Sequence, residues 1–253
     1  MKKKLIIGNW KMNPTTLDEA RRIFRSTKNT AKKLTSTEVV VCPPPVYIQA
    51  LLTKRGDPVV SIGAQDAYFE EQGSFTGEVS PIMLRDLGVT HVIIGHSERR
   101  EKGESDEVIS EKVALALEAG LKVVLCVGEK ERDEQGAHLE SLKLQIKNSL
   151  NKVPKRLIGK LIVAYEPIWA VGAKEAMDPA TVYEMSLFVK KSLADAYGHT
   201  EAVATQVLYG GSVNFRNAGD IIVRGKVDGL LVGRESVNSD GFTELLKAVD
   251  VIS

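Results

Sequence analysis

At 253 residues, with 34 Lys and Arg against 33 Asp and Glu, the chain carries a formal charge of +1 and has no global field to recruit nucleic acid or an anionic membrane. Hydrophobic residues at 43% and charged residues at 26% lie near the averages for globular proteins, which excludes a disordered or low-complexity chain. Cys42 and Cys126 stand alone, with no CxxC pair and no neighbouring His, so a disulfide framework and a thiolate metal cage are excluded and two reduced thiols are expected.

Lys2, Lys3 and Lys4 precede an apolar run too brief for a signal peptide or a membrane span, and a cytoplasmic protein is expected. From there, short β-branched runs recur along the chain. They are Leu5 to Trp10, Val39 to Cys42, Val59 to Ala64, His91 to Gly95, Val123 to Val127, Leu161 to Tyr165, Thr205 to Tyr209 and Val227 to Val232. Most are continuously apolar rather than alternating, as parallel strands covered on both faces must be. Helical periodicity lies between them, in Leu17, Ala20, Ile23 and Phe24, then Val113, Leu117 and Ala119, then Leu139, Leu142, Ile146 and Leu150, then Val182, Met185, Phe188 and Val189. Asp178-Pro179, Ser212 and Asp240 read as helix starts.

Eight strand-helix pairs in 253 residues predict an α/β fold, a closed (β/α)8 barrel. A doubly wound open sheet calls for a Gly-rich first turn, and no GxGxxG follows the first strand. No linker or shift in composition divides the chain, so residues 1–253 are read as a single domain. The longest stretch without periodicity, Gln65 to Ser80, is the expected arm for a partner contact.

In such barrels the chemistry sits where strands end. Three strand ends carry polar groups: Gly8-Asn9-Trp10-Lys11, Gly95-His96-Ser97-Glu98-Arg99-Arg100, and Glu166-Pro167 after Ile162 to Tyr165. Taken singly, Lys11 reads as a solvated lysine and His96 as an ordinary polar residue. Glu166 is less easily dismissed, because a carboxylate directly after an apolar strand is costly to bury unless paired or protonated. A base, an imidazole donor and a fixed positive charge on one rim suit proton abstraction beside a carbonyl.

Gly210-Gly211-Ser212-Val213 after the seventh strand and Gly233 after the eighth would offer backbone amides to a phosphate, with another from Val171-Gly172-Ala173; the alternative is that these glycines only make tight turns. Arg99 and Arg100 are expected to pair with Glu98 and Glu104 as a structural network. Ser97 lacks the second Gly of a nucleophile elbow, and no HExxH, EF-hand or Walker pattern occurs, so no metal site is expected.

The ordered motifs Gly8-Asn9-Trp10-Lys11-Met12-Asn13, Gly77-Glu78-Val79-Ser80-Pro81, Gly95 to Arg100, Ala164-Tyr165-Glu166-Pro167-Ile168-Trp169-Ala170 and Tyr209-Gly210-Gly211-Ser212-Val213 resemble those of the triosephosphate isomerases across essentially the whole chain. The resemblance implies a TIM barrel that interconverts dihydroxyacetone phosphate and glyceraldehyde 3-phosphate in glycolysis and gluconeogenesis, without a cofactor. By this resemblance Glu166 is the base and His96 the neutral electrophile, a pairing well established for the family. Lys11 and Asn9 would stabilise the developing anion, with Glu98 holding Lys11. Backbone amides of Gly172, Ser212, Gly233 and Arg234 would bind phosphate. Pro167 to Met177 would form a lid, with Trp169 anchoring its hinge and Tyr209 latching it. The resemblance also implies a homodimer through the Gln65 to Ser80 loop, in which Thr76 supports the partner's Asn9 and Lys11 region.

Two stretches depart from the family's usual pattern: the lid tip Ala173-Lys174-Glu175 and the segment Gly233-Arg234-Glu235-Ser236. Arg234 is expected to supply its amide without a positive φ and to point its guanidinium away from phosphate. These departures are the basis of a second reading, a catalytically lapsed paralogue that binds sugar phosphates. Another phosphate-binding barrel, such as a synthase, is a third.

Overall fold

A computed structural model of the chain describes residues 3–52, 59–133, 135–170 and 176–252. Its strands β1 (Lys4–Asn9), β2 (Thr37–Cys42), β3 (Ser61–Ala64), β4 (His91–Ile94), β5 (Lys122–Val127), β6 (Leu161–Tyr165), β7 (Gln206–Gly210) and β8 (Gly229–Val232) form a closed barrel in sequence order. Every ladder is parallel, and β1 closes the ring on β8 through Leu5 opposite Gly229 and Ile7 opposite Leu231.

The connections are helical: α1 (Leu17–Ala31), α2 (Pro45–Leu51), α3 (Pro81–Leu87), α4 (Ser97–Arg100), α5 (Asp106–Glu118), α6 (Ala137–Ser149), α7 (Pro179–Tyr197), α8 (His199–Ala204), α9 (Ala218–Arg224) and α10 (Ser239–Val251). Local chemistry sets their starts. Thr16 accepts from the Glu19 amide to open α1, and Ser80 accepts from the Met83 amide ahead of Pro81 to open α3. Asp178 caps Ala180 and Thr181 at the start of α7, as its sequence predicts. Among the described residues no helix is long and apolar enough to cross a membrane.

The continuous apolar strands have a two-sided explanation. Leu5, Ile7, Val40, Ile93, Val124, Ile162, Leu208 and Leu231 fill the barrel interior, while the alternate residues, such as Ile6, Val92, Val123 and Val163, pack under the helices. Both faces of the strands are therefore dry except near their first residues, where Glu38 and Lys122 are exposed.

Two expected helix starts move. The helix expected at Ser212 begins at Ala218, because side-chain bonds capture the intervening backbone. The Asn214 amide donates to Asn217 Oδ1, the Arg216 amide to Asn214 Oδ1, and Asn217 Nδ2 to the Ser212 carbonyl. At the last helix Asn238, not Asp240, is the cap, accepting from the Gly241 amide. The third strand is also shorter than expected, starting at Ser61 rather than Val59.

His91 opens β4 at the barrel end opposite the strand termini. It is buried; its Nδ1 meets Thr90 Oγ1 at 2.7 Å, and its Nε2 has no partner. Burial, and secondarily the charge of Lys122, pushes its pKa down from 6.5 to about 3. Between those values the unfolded chain binds a proton that the folded chain refuses, so stability falls as the pH drops through this window, by about 1.4 kcal/mol per pH unit from this one group. Denaturant titrations between pH 4 and 6 should therefore show a steeper loss of stability in the native protein than in His91→Gln, by one proton's worth of slope; equal slopes would remove His91 from the acid response.

Candidate active site

Alternation along the strands decides which side chains reach the barrel mouth. On β6 the inward residues are Ile162 and Ala164, and the next inward position is Glu166, whose amide extends the ladder by donating to the Val127 carbonyl at 2.8 Å. On β1 the series Leu5, Ile7 ends at Asn9. Because β5 pairs Cys126 with Ala164 and β7 pairs Leu208 with Ala164, the residues flanking Glu166 in the same layer are Gly128 and Gly210. A Cβ on Gly210 would lie 2.6 Å from Glu166 Cγ and 2.8 Å from its Oε1, and one on Gly128 would lie 1.9 Å from the Glu166 carbonyl oxygen. Glycine at 210 leaves open the space the carboxylate occupies, and glycine at 128 admits the Glu166 backbone that carries it.

Glu166 is 6% exposed, and its Oε2 is buried without a hydrogen-bond partner. Its Oε1 faces His96 Nε2 across 3.7 Å, too far for a hydrogen bond, so neither group is locked by the other. The Cys126 thiol adjoins this carboxylate; burial, and then the Glu166 charge, pushes its pKa well up and keeps it protonated. Burial does the same to Cys42.

His96 is the N-cap of α4, and its Nδ1 accepts from the Glu98 amide at 3.2 Å. An amide can only donate, so Nδ1 carries no proton in this arrangement and the hydrogen of the ring sits on Nε2, aimed toward Glu166.

Lys11 adopts φ +53°, a conformation that side chains with a Cβ rarely take. Three contacts hold it there. Its amide donates to Asn9 Oδ1 at 3.1 Å, Gln65 Nε2 donates to its carbonyl at 2.8 Å, and its Nζ lies 2.6 Å from Glu98 Oε1. Burial alone would raise the Glu98 pKa, but the hydrogen bond and charge of Lys11 hold it below the usual carboxylate range. Both side chains of this pair are partly solvated, so its value is positional more than energetic.

A cleft of about 760 Å³ opens over these groups, lined by Asn9, Lys11, His96, Glu98 and Glu166 and, across from them, by Ser212, Gly233 and Arg234. Ser212 lies in the loop before α9, and Arg234 begins a 3-10 turn, Arg234–Val237, after β8. Among described non-glycine residues only Lys11 and Lys226 have positive φ, so Arg234 takes its place without that strain. Gly172 and the tip Ala173-Lys174-Glu175 lie outside the described residues.

Three further candidates stand outside the cleft lining. Trp169 Nε1 donates to Glu129 Oε1 at 3.2 Å, and the same buried carboxylate accepts from Tyr165 Oη at 2.8 Å. Tyr209 Oη accepts from the Met177 amide at 3.1 Å, with room made by Gly211, where a Cβ would lie 2.4 Å from that hydroxyl. Thr76 is exposed on the arm between β3 and α3, away from its own chain's cleft.

The expected arginine network needs correction. Arg99 does bind Glu104, at 2.5 Å, but also Asp66 at 2.8 Å, and Arg100 turns instead to Asp106 and the Gly95 carbonyl, leaving Glu98 to Lys11. Gln65 and Gly128 were not singled out by sequence; extending the inward alternation of β6 onto its neighbours would have found Gly128. Among the described residues no group of three or more His, Cys, Asp or Glu is placed to hold a metal ion.

The chain matches the profile of the family "Triosephosphate isomerase" over residues 4–249. It is 39% identical over 248 residues to the triosephosphate isomerase of Roseiflexus castenholzii, an alignment covering 97% of each chain. Against that of Dehalococcoides mccartyi it is 37% identical over 254 residues, covering 100% of this chain and 98% of the relative. The enzyme of Moorella thermoacetica is 39% identical over 251 residues, with 97% and 98% covered. The likeness thus runs through all eight strand ends and not only through the three that carry Lys11, His96 and Glu166. By fold, site and sequence alike, this chain belongs to the triosephosphate isomerase family.

Proposed function

We propose a residue-level mechanism for the reaction of this isomerase, the interconversion of dihydroxyacetone phosphate and glyceraldehyde 3-phosphate through an enediolate. Glu166 removes a proton from the carbon beside the substrate carbonyl and returns it to the neighbouring carbon. The observation that carries this reading is the buried Glu166 carboxylate with an unpartnered oxygen, facing an imidazole whose remaining hydrogen points into the same cleft. A carboxylate oxygen with no hydrogen-bond partner is free to accept a carbon-bound proton. As charge moves onto the substrate oxygens, the Nε2 hydrogen of His96 donates to them, and Lys11 and Asn9 supply a fixed positive charge and a side-chain amide.

Phosphate would be bound by backbone amides at Ser212, Gly233 and Arg234, with that of Gly172 completing the cradle. The Ser212 loop, shaped by Asn214 and Asn217, lines the cleft in place of the expected helix start, which supports this reading. Trp169 and Tyr209, held by Glu129 and Met177, would anchor the two ends of a lid over Pro167 to Met177. The whole chain, residues 1–253, would act as one cytoplasmic domain in glycolysis and gluconeogenesis. Nothing in the site favours the lapsed paralogue, since the three reacting side chains share one cleft.

The working form would be a homodimer. The Gln65 to Ser80 arm has no helix or strand, folds on itself through Tyr68 against Phe69 and Phe75, and leaves Thr76 exposed. Beside Lys11 a second cleft of about 390 Å³, lined by Met12, Tyr68, Glu78 and Arg99, is open to receive such an arm from a partner. Met12 in its lining and Phe75 on the arm are exposed apolar side chains.

Three outcomes follow from this reading. Glu166→Gln should lower kcat between about a hundredfold and ten-thousandfold in a coupled assay with glyceraldehyde 3-phosphate, and equal rates for both proteins would end the assignment of the base. Gly210→Ala should leave the barrel folded but cut kcat about a hundredfold by displacing the Glu166 carboxylate, and an unchanged kcat would show that the carboxylate tolerates the added methyl. Thr76→Arg should shift the chain toward monomer in sedimentation and reduce turnover per chain; a fully active monomer would refute the shared site.

A further inference from the structure

We propose that Lys112, remote from the substrate cleft, is a positioning residue for the isomerisation and acts through Lys11. Lys112 sits on α5 and is 2% exposed, an environment that a lone ammonium does not tolerate. Its Nζ reaches both oxygens of Asp66, at 3.0 and 2.8 Å, and Glu104 Oε1 at 2.6 Å. Arg99 closes the cluster, with Nη2 2.8 Å from Asp66 Oδ2 and Nε 2.5 Å from Glu104 Oε1.

The members of this cluster adjoin the groups that hold Lys11. Asp66 follows Gln65, which donates to the Lys11 carbonyl and to the Cys42 carbonyl. Arg99 follows Glu98, which takes the Lys11 ammonium. One contact fixes the backbone of Lys11 and the other its charge, and each comes from a residue next to one that the buried cluster clamps. A lysine held at φ +53° persists only where its surroundings over-determine it. Lys112 ties the segment leaving β3 to the segment leaving β4, and so keeps both contacts in register with β1.

A purely structural ion pair predicts something different. If Lys112 only stabilises the fold or the subunit contact, its loss harms every catalytic group and persists when Lys11 is gone. If it acts through Lys11, its loss has nothing further to remove once Lys11 is gone.

The test is a double-mutant cycle in the full-length protein. Lys112→Met and Asp66→Asn are each made in the native and the Lys11→Ala backgrounds, with kcat and KM for glyceraldehyde 3-phosphate and the melting temperature recorded. In the native background each should lower kcat/KM about 10- to 100-fold, and in the Lys11→Ala background less than about twofold. Where turnover is too slow to time, equilibrium binding of glycerol 3-phosphate, which has the phosphate but no carbonyl, closes the same cycle. Equal fold-losses in both backgrounds, or no loss in the native one, would overturn the proposal. If Lys112→Met shows no cooperative melting, Asp66→Asn decides it alone. The inference rests on the role given to Lys11 above; a native protein that binds glycerol 3-phosphate without turning over substrate would overturn that reading instead.

Discussion

A carboxylate placed inside the mouth of a closed barrel, with one oxygen left without a partner, is the constraint around which the rest of this molecule is arranged. Such a group is costly, because a buried carboxylate oxygen without a donor keeps its full desolvation penalty until a ligand satisfies it. Gly210 leaves room for the side chain and Gly128 for the backbone that carries it, and 3.7 Å separates the carboxylate from His96. A methyl group at Gly210 would fill the space the carboxylate occupies, and one at Gly128 would strike the Glu166 carbonyl.

The same economy governs the positive side of the site. Lys11 brings a charge to the cleft from a backbone conformation that disfavours it, and Asn9, Gln65 and Glu98 each hold a different atom of that residue. The imidazole is handled in the opposite manner. A single amide donating to Nδ1 assigns its remaining hydrogen to the face that needs it, with no counter-charge within hydrogen-bond distance.

The two ends of the barrel divide the labour. At the carboxyl ends of the strands, polar groups converge on an open cleft where a ligand can satisfy them. His91, at the opposite end, is sealed in with one ring nitrogen unpartnered and its protonation opposed by burial. Unmet hydrogen-bonding capacity opens on a cleft in the first case and is a standing sensitivity to acid in the second.

The eightfold alternation, the barrel and the placement of Lys11, His96 and Glu166 at strand ends were legible in the sequence, because strand periodicity and strand-end motifs are local properties written in consecutive residues. The start of α7 at Asp178-Pro179 was legible for the same reason. What sequence alone missed is non-local. The glycines beside Glu166 are set by inter-strand register, the support of Lys11 by Gln65 by a contact between the segments leaving β1 and β3, and the turn of Arg100 away from Glu98 by its bonds to the Cys126 carbonyl and Ser149 Oγ. The displaced helix start after Ser212 was decided by Asn214 and Asn217 competing for the backbone, a contest whose outcome depends on where the loop must end. Sequence specified which groups are present and on which strand end; only the closed sheet fixed how far apart they stand, because those distances belong to pairs of strands and not to any one of them.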